Sequence, residues 1–390
     1  MRTNTTGNKD TLEITVNKSE TDTYKEIFQQ PSVWEKEFNL LLNNKEVIKD
    51  FISKHFDKES VEIIFSGAGT SAYIGNILSV IYGKKGYFNC KSISTTDIIT
   101  HPESLLPKNK KVILISFARS GNSPESIATV TLANKICKEV VHIIITCNKD
   151  GILASCISSN DLLLLLPPET NDKSLAMTSS FSTMLLAGLL LLDINILESK
   201  KEDIKELCRN AQSVLDQYSS HLEELSKKYF SRVIFLGSGE LKGIAEECHL
   251  KMQEMTDGKV ICKYDSFLGF RHGPKAAIND ETLLVYFFSD DDYVFSYERD
   301  LVKQININNK VVGQIAVSGK KADVPSVRFD LEVNIKQEIM KDNGYIFIAE
   351  VLAGQLLAFF KSVDMGFNPD SPSVSGNIAR VVEGVEIYKY

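Results

Sequence analysis

Two stretches place a dense set of hydrogen-bond donors directly after apolar runs. Residues 63–65 lead into Gly67-Ala68-Gly69-Thr70-Ser71, and residues 112–115 lead into Arg119-Ser120-Gly121-Asn122-Ser123. Glycines and small hydroxyls let a ligand approach the backbone closely, and a helix opening at such a loop presents free N–H groups to an anion. That chemistry is a cradle for a phosphate, with Arg119 available for a charge-assisted contact. The same residue types also serve plain turns and helix caps. Further on, "GIAEECHLKMQEM" (243–255) sets Glu247, Lys251 and Glu254 on one helical side, opposite Ala245, Cys248, Met252 and Met255. Such a stripe is either a solvated ion-pair ladder or an acid–base set, in which a carboxylate shuttles a proton and a cation steadies charge on oxygen. "FRHGP" holds His272 just before a Gly-Pro turn, and histidine is the side chain that titrates nearest neutrality.

The composition decides which partners suit such groups. The 390-residue chain has 43% hydrophobic and 24% charged residues and a formal net charge of −7. This balance attracts neither nucleic acid nor an anionic membrane, so a phosphate must be caught locally. The seven cysteines form no CxxC pair and no Cys/His cluster, a pattern of free thiols in a reducing compartment rather than of disulfides or a metal site. The N-terminus lacks the apolar core of a secretory signal. The apolar stretches around 162–166 and 184–192 fall short of the roughly 20 residues of a membrane span. The expectation is a cytoplasmic protein that uses no metal or cofactor.

The elements that position these groups follow from the hydrophobic pattern. Residues 24–56 read as helical with a break at Pro31. Strand-length runs at 61–65, 112–115, 141–145 and 162–166 alternate with helical stretches at 71–82, 123–138 and 149–157, and a long apolar helix spans 178–197. The order then repeats: "VIFLGSGELKG" answers "IIFSGAGTSAYIG", "LLVYFFS" answers "VILISFA", and "VGQIAVS" answers "VHIIITC". The offset is about 170 residues each time, a sign of internal duplication, and an apolar helix at 339–361 closes the second unit. The predicted fold class is α/β, two duplicated doubly wound parallel sheets with flanking helices. Its expected parts are a flexible tail 1–22, a helical segment 23–57, a first α/β domain 58–200, a helical connector 201–228 and a second α/β domain 229–390. Where the first unit carries ARSGNS, the second carries Ser289-Asp290-Asp291-Asp292, which would repel a phosphate. A dinucleotide site is the rival, since GAGTSA fits G-x-G-x-x-A. No acidic residue follows at about 20 positions; Asp97 comes later.

Strand–GxGTS–helix followed by strand–xSGNS–helix resembles the sugar isomerase (SIS) domain. In tandem form the chain resembles the isomerase half of glutamine–fructose-6-phosphate aminotransferase. "EIFQQPSVW", "SFARSGNSPES", "AMTSSFSTM", "FLGFRHGP" and "NIARVVEGV" are closer still to the AgaS subfamily, the galactosamine-6-phosphate deaminases once described as tagatose-6-phosphate ketose/aldose isomerases. The resemblance implies that Thr70, Ser71, Ser120 and Ser123 hold the sugar phosphate, with Thr178 and Ser179 contacting the sugar. It implies Glu254 as the carbon base, Lys251 beside it, His272 as the ring-opening group, and Glu247 in support. It further implies a homodimer or higher homo-oligomer, with His272 serving its own or a neighbouring subunit. Two departures stand out. Ala118 and Arg119 replace a serine and a glutamine of the SIS pattern, and Arg380 replaces a lysine that forms a Schiff base with the open sugar. A guanidinium cannot act as that nucleophile, so a non-covalent reaction is expected, with Arg380 pairing with the substrate. The implied activity converts galactosamine 6-phosphate to tagatose 6-phosphate and ammonia. A non-deaminating ketose/aldose isomerase and a sugar-phosphate-sensing SIS regulator are the alternatives.

Overall fold

A computed structural model describes residues 17–335, 344–382 and 384–390. Of the tail expected over 1–22, residues 1–16 lie outside the described residues; Lys18–Glu20 form a 3-10 turn. Helices α1 (Asp22–Phe28), α2 (Gln30–Asn43) and α3 (Lys45–His55) follow. The break falls at Gln29, and Pro31 sits in the first turn of α2, where no helix bond needs its N–H.

The first sheet comprises β1 (Val61–Ser66), β2 (Cys90–Ser92), β3 (Lys111–Ala118), β4 (Glu139–Thr146) and β5 (Leu162–Leu165), all parallel in the order β2-β1-β3-β4-β5. Its connections carry α4 (Thr70–Lys84), α5 (Thr95–Thr100), α6 (Pro102–Leu105) and α7 (Pro124–Ile136). The helix expected over 149–157 is only a 3-10 turn, Ile152–Ser155. The apolar helix α8 (Ser179–Leu192) ends before a further 3-10 segment, Ile194–Lys200, and α9 (Lys201–Ser226) leads to the second sheet. That sheet holds β6 (Arg232–Gly237), β7 (Ile261–Asp265), β8 (Thr282–Phe288), β9 (Gly313–Ser318) and β10 (Leu331–Asn334) in the parallel order β7-β6-β8-β9-β10. It is accompanied by α10 (Glu240–Met255), α11 (Phe267–Phe270), α12 (Asp292–Asn308) and α13 (Val351–Asp364). The first part of the helix expected over 339–361, through residue 343, lies outside the described residues.

The sheets are two copies of one design. Val61 pairs with Lys111 in the first, and Arg232 pairs with Thr282 in the second, at matching places in the repeat. Helices cover both faces, so central strands such as β3 and β8 are apolar along almost their whole length. Phe65 and Ile113 of the first sheet share one continuous core with Phe235 and Val285 of the second, filled between by α4, α8, α9, α10 and α13. At its centre α10 crosses α4 closely: a Cβ on Gly243 would lie 2.3 Å from Ile77 Cγ1. This contact carries the end of α10 over the start of α4. The stretch Ile346–Asp364 is long and apolar enough to cross a membrane by composition, yet 89% of its apolar window is buried inside the protein.

Candidate active site

The turn from β1 into α4 depends on glycine. Gly69 has φ 55°, a left-handed conformation that a side chain disfavours, and a Cβ on Gly67 would stand 2.5 Å from the Ser71 backbone. The turn from β3 into α7 passes through Gly121 at φ 66°. It ends at Ser123, the N-cap of α7, whose hydroxyl makes no capping hydrogen bond. That helix N-terminus is therefore open to an outside acceptor. Both turns border one cavity of about 480 Å³, to which Thr70, Ser71, Ser120 and Ser123 contribute hydroxyls.

The acid–base helix of the second unit reaches this cavity. Lys251 Nζ donates to Thr70 Oγ1 at 3.0 Å and to Glu254 Oε2 at 2.6 Å, and Glu247 Oε1 stands 3.4 Å away. Lys251 and Glu247 are fully buried, whereas the Glu254 side chain keeps 21% of its surface and lines the cavity. The stripe is thus not a solvated ladder. One side of α10 packs into the core through Cys248 and Met252, and the other closes on the loop of the first sheet. Burial pushes the Glu247 carboxyl up to about 8, against the pull of Lys251. Burial alone would lower the Lys251 pKa, but Glu247 and Glu254 outweigh it and hold the ammonium above its usual range.

Lys251 lies behind the lining, reaching it through Thr70 and Glu254, and four further expected site residues are not brought to the cavity. Asn122 Oδ1 accepts from Ile152 N at 3.0 Å and so ties down the loop. Thr178 and Ser179 are wholly buried at the start of α8. There Asp172 gathers the Thr178 N–H (2.8 Å), the Ser180 N–H (2.9 Å) and the Ser179 hydroxyl. The Ser179 and Ser180 hydroxyls face this buried carboxylate, which accepts the N–H groups of the helix's first turn, while the Thr178 hydroxyl is buried without a partner among the described residues. His272 is exposed on the turn after α11, outside the cavity of its own chain.

Two arginines line the cavity in an unexpected way. The Arg119 guanidinium donates to the main-chain carbonyls of Ser174 (3.1 Å), Leu175 (3.0 Å) and Arg380 (2.5 Å). Arg380 in turn donates to Asn171 Oδ1 (2.9 Å) and, through Nε, to Asp172 O (2.9 Å). Sequence reasoning did not single out Asp172, or the apolar walls Leu175 and Leu250; the C-terminal residues 376–382 that roof the cavity overlap the flagged NIARVVEGV stretch, where only Arg380 was given a role. The walls at 175 and 177 fall in or beside the flagged AMTSSFSTM stretch, but nothing local marks them as lining a ligand site.

Comparison with known proteins accords with this geometry. The SIS domain family matches residues 56–194. D-galactosamine-6-phosphate deaminase AgaS of Escherichia coli is 35% identical over 94% of this chain and 96% of its own. The chain belongs to the AgaS family of SIS-domain proteins. The protein of the same name from Shewanella sp. (strain ANA-3) is likewise 35% identical, over 94% of this chain and 92% of its own. Among solved structures, tagatose-6-phosphate ketose/aldose isomerase from Escherichia coli superposes with a TM-score of 0.87 at 33% identity, covering 95% of this chain and 97% of that one. A structure from Clostridium novyi NT gives a TM-score of 0.91 at 40% identity over 95% of each chain. As in these relatives, the family's two-sheet fold runs the length of the chain.

Proposed function

We propose that this family member is a deaminating isomerase that converts D-galactosamine 6-phosphate and water to D-tagatose 6-phosphate and ammonia. The observation that carries the reading is the meeting of Glu254 with the hydroxyl loops in one cavity, across two sheets, with Lys251 bridging Glu254 to Thr70. Its volume of about 480 Å³ lies in the ordinary range for small-molecule sites. Ser120, Ser123 and the open end of α7 would hold the phosphate. Glu254 would take the C2 proton of the open-chain sugar and return it at C1, leaving an imine at C2 that water hydrolyses to the ketone with release of ammonia. Lys251 would steady the negative charge that develops on oxygen. Arg380, whose Nη1 has no protein partner among the described residues, would meet the substrate without forming a covalent bond. Exposed His272 would open the ring, from its own or a neighbouring subunit of a homo-oligomer, and the free thiols suit a cytoplasmic enzyme.

The test is turnover of galactosamine 6-phosphate with paired detection of ammonia and ketose phosphate. Glu254→Gln is expected to lower kcat by about 10³-fold while retaining substrate affinity. Interconversion of tagatose and galactose 6-phosphates without ammonia would replace the reading by simple isomerisation. Tight binding with no turnover would replace it by a sensing role. Borohydride trapping of a sugar adduct would overturn the non-covalent route.

A further inference from the structure

We propose that Arg119 is a positioning residue that ties the phosphate loop to the chain's C-terminal strap, rather than a ligand of the phosphate. Arg119 follows β3 immediately and is 7% exposed. Its Nη1 holds the carbonyls of Ser174 and Leu175, and its Nη2 holds that of Arg380. Three segments distant in sequence therefore meet on one guanidinium: the loop of the first sheet, the stretch before α8, and residues 376–382 over the cavity. Arg380 repeats the stitch from the other side through Asn171 and Asp172. The stretch is itself anchored below. The Asp172 carboxylate is fixed to the start of α8, and Glu26 accepts from the Lys173 N–H at 2.5 Å. The strap has firm neighbours at Ser375, which donates to Asp257 at 2.9 Å, and at Tyr390, whose carbonyl accepts from Lys135 at 2.6 Å. Between them Ile378 and Val382 remain 39% and 56% exposed, and among the described residues the arginine pair ties this span to the segment before α8 and to the loop after β3.

The residue type fits the task. A planar guanidinium presents donors in a fixed fork and can reach carbonyls on two segments at once, whereas a lysine ammonium offers its donors from a single point. Three of the five N–H donors of Arg119 are committed to main-chain carbonyls in this way. The role deepens the proposed function and rests on it only for the kinetic readout; the phosphate and exchange measurements below need no substrate.

The experiment compares Arg119→Gln and Arg119→Lys with the native full-length protein. Three quantities are measured: affinity for inorganic phosphate, amide hydrogen exchange across 376–382, and kcat/KM on galactosamine 6-phosphate. A positioning role predicts phosphate affinity within about 3-fold of native in both variants, faster exchange confined to 376–382 and 171–175, and a fall in kcat/KM of about 30-fold or more. Unchanged exchange in the strands of both sheets distinguishes this from general unfolding. A loss of phosphate affinity of about 10-fold or more with strap exchange unchanged would make Arg119 a direct ligand and overturn the proposal. Full rescue by lysine would also overturn it, since charge alone would then suffice. Absence of turnover with the expected phosphate and exchange results would count against the substrate assignment and leave the strut intact.

Discussion

The β3–α7 turn and the β8–α12 turn hold matching places in two copies of one fold, yet they treat their helices in opposite ways. Ser123 caps α7 without a side-chain hydrogen bond. Asp291 caps α12 with its own carboxylate, which accepts from Tyr293 N (2.8 Å) and Val294 N (3.2 Å). The other pair of turns keeps one backbone, with Gly69 at φ 55°, ψ −129° and Gly239 at φ 58°, ψ −127°. Thr70 follows the first of these, and Glu240 the second. A lysine from the crossing helix meets each one. Lys251 is fully buried against Thr70, while Lys84 pairs with Glu240 at 2.7 Å and is 60% exposed. The glycine-shaped cradle is thus indifferent to charge. What sets the first edge apart is that its helix has no self-capping side chain and its cation is shielded from water, where a charge interaction is stronger.

Exchanging the chemistry of the two turns gives the largest expected effect. Ser123→Asp should give the first turn the self-capped, acidic character of the second and weaken inorganic phosphate binding by about 10³-fold. If calorimetry finds phosphate affinity unchanged, the anion is not held at this turn. A smaller effect separates the buried carboxylates beneath each edge. Glu247 has Lys251 beside it, whereas Glu298 accepts the Ser289 N–H at 2.9 Å and is pushed up to about 7 chiefly by burial. A raised carboxyl pKa means that stability from this group is fully present below about 4.5 and is lost as pH rises through about 7. Glu298→Gln should therefore flatten that decline by about 1–3 kcal/mol in denaturant titrations at pH 5 and pH 8, with catalysis unaffected. An equal pH dependence in native and variant proteins would remove Glu298 from the account. The smallest effect is Asp291→Ala, which should cost about 1 kcal/mol of stability through the lost cap and leave KM as it was. A change in KM would show that the second edge shares in substrate binding.

Much of this arrangement could be read before any coordinates. Glycine loops after buried strands, the repeat of strand and helix, and the helical spacing of Glu247, Lys251 and Glu254 are local patterns, and the structure reproduces each. Strands β2 and β7 escaped because they are short edge strands of mixed, half-buried residues, with neither an apolar run nor a clean alternation to announce them. The helix expected over 149–157 is cut to one turn, in which Leu153 is buried beside Gly121 and Ile152 stays exposed. The expectation for Ser179 comes from the family resemblance, and a hydroxyl suits an inward-facing carboxylate, which it meets here, as well as a substrate.

The chain's own order of residues determined the duplicated α/β plan, the glycine- and hydroxyl-rich loops and the helical spacing of Glu247, Lys251 and Glu254, because backbone preference and hydrophobic period act between near neighbours. Tertiary structure alone decided that α10 closes on α4, that Arg119 grips a carbonyl 261 residues away, and that His272 stays outside its own chain's cavity. Those outcomes depend on how two packed sheets and a returning C-terminal segment share space, and no local pattern encodes a distance between such remote parts.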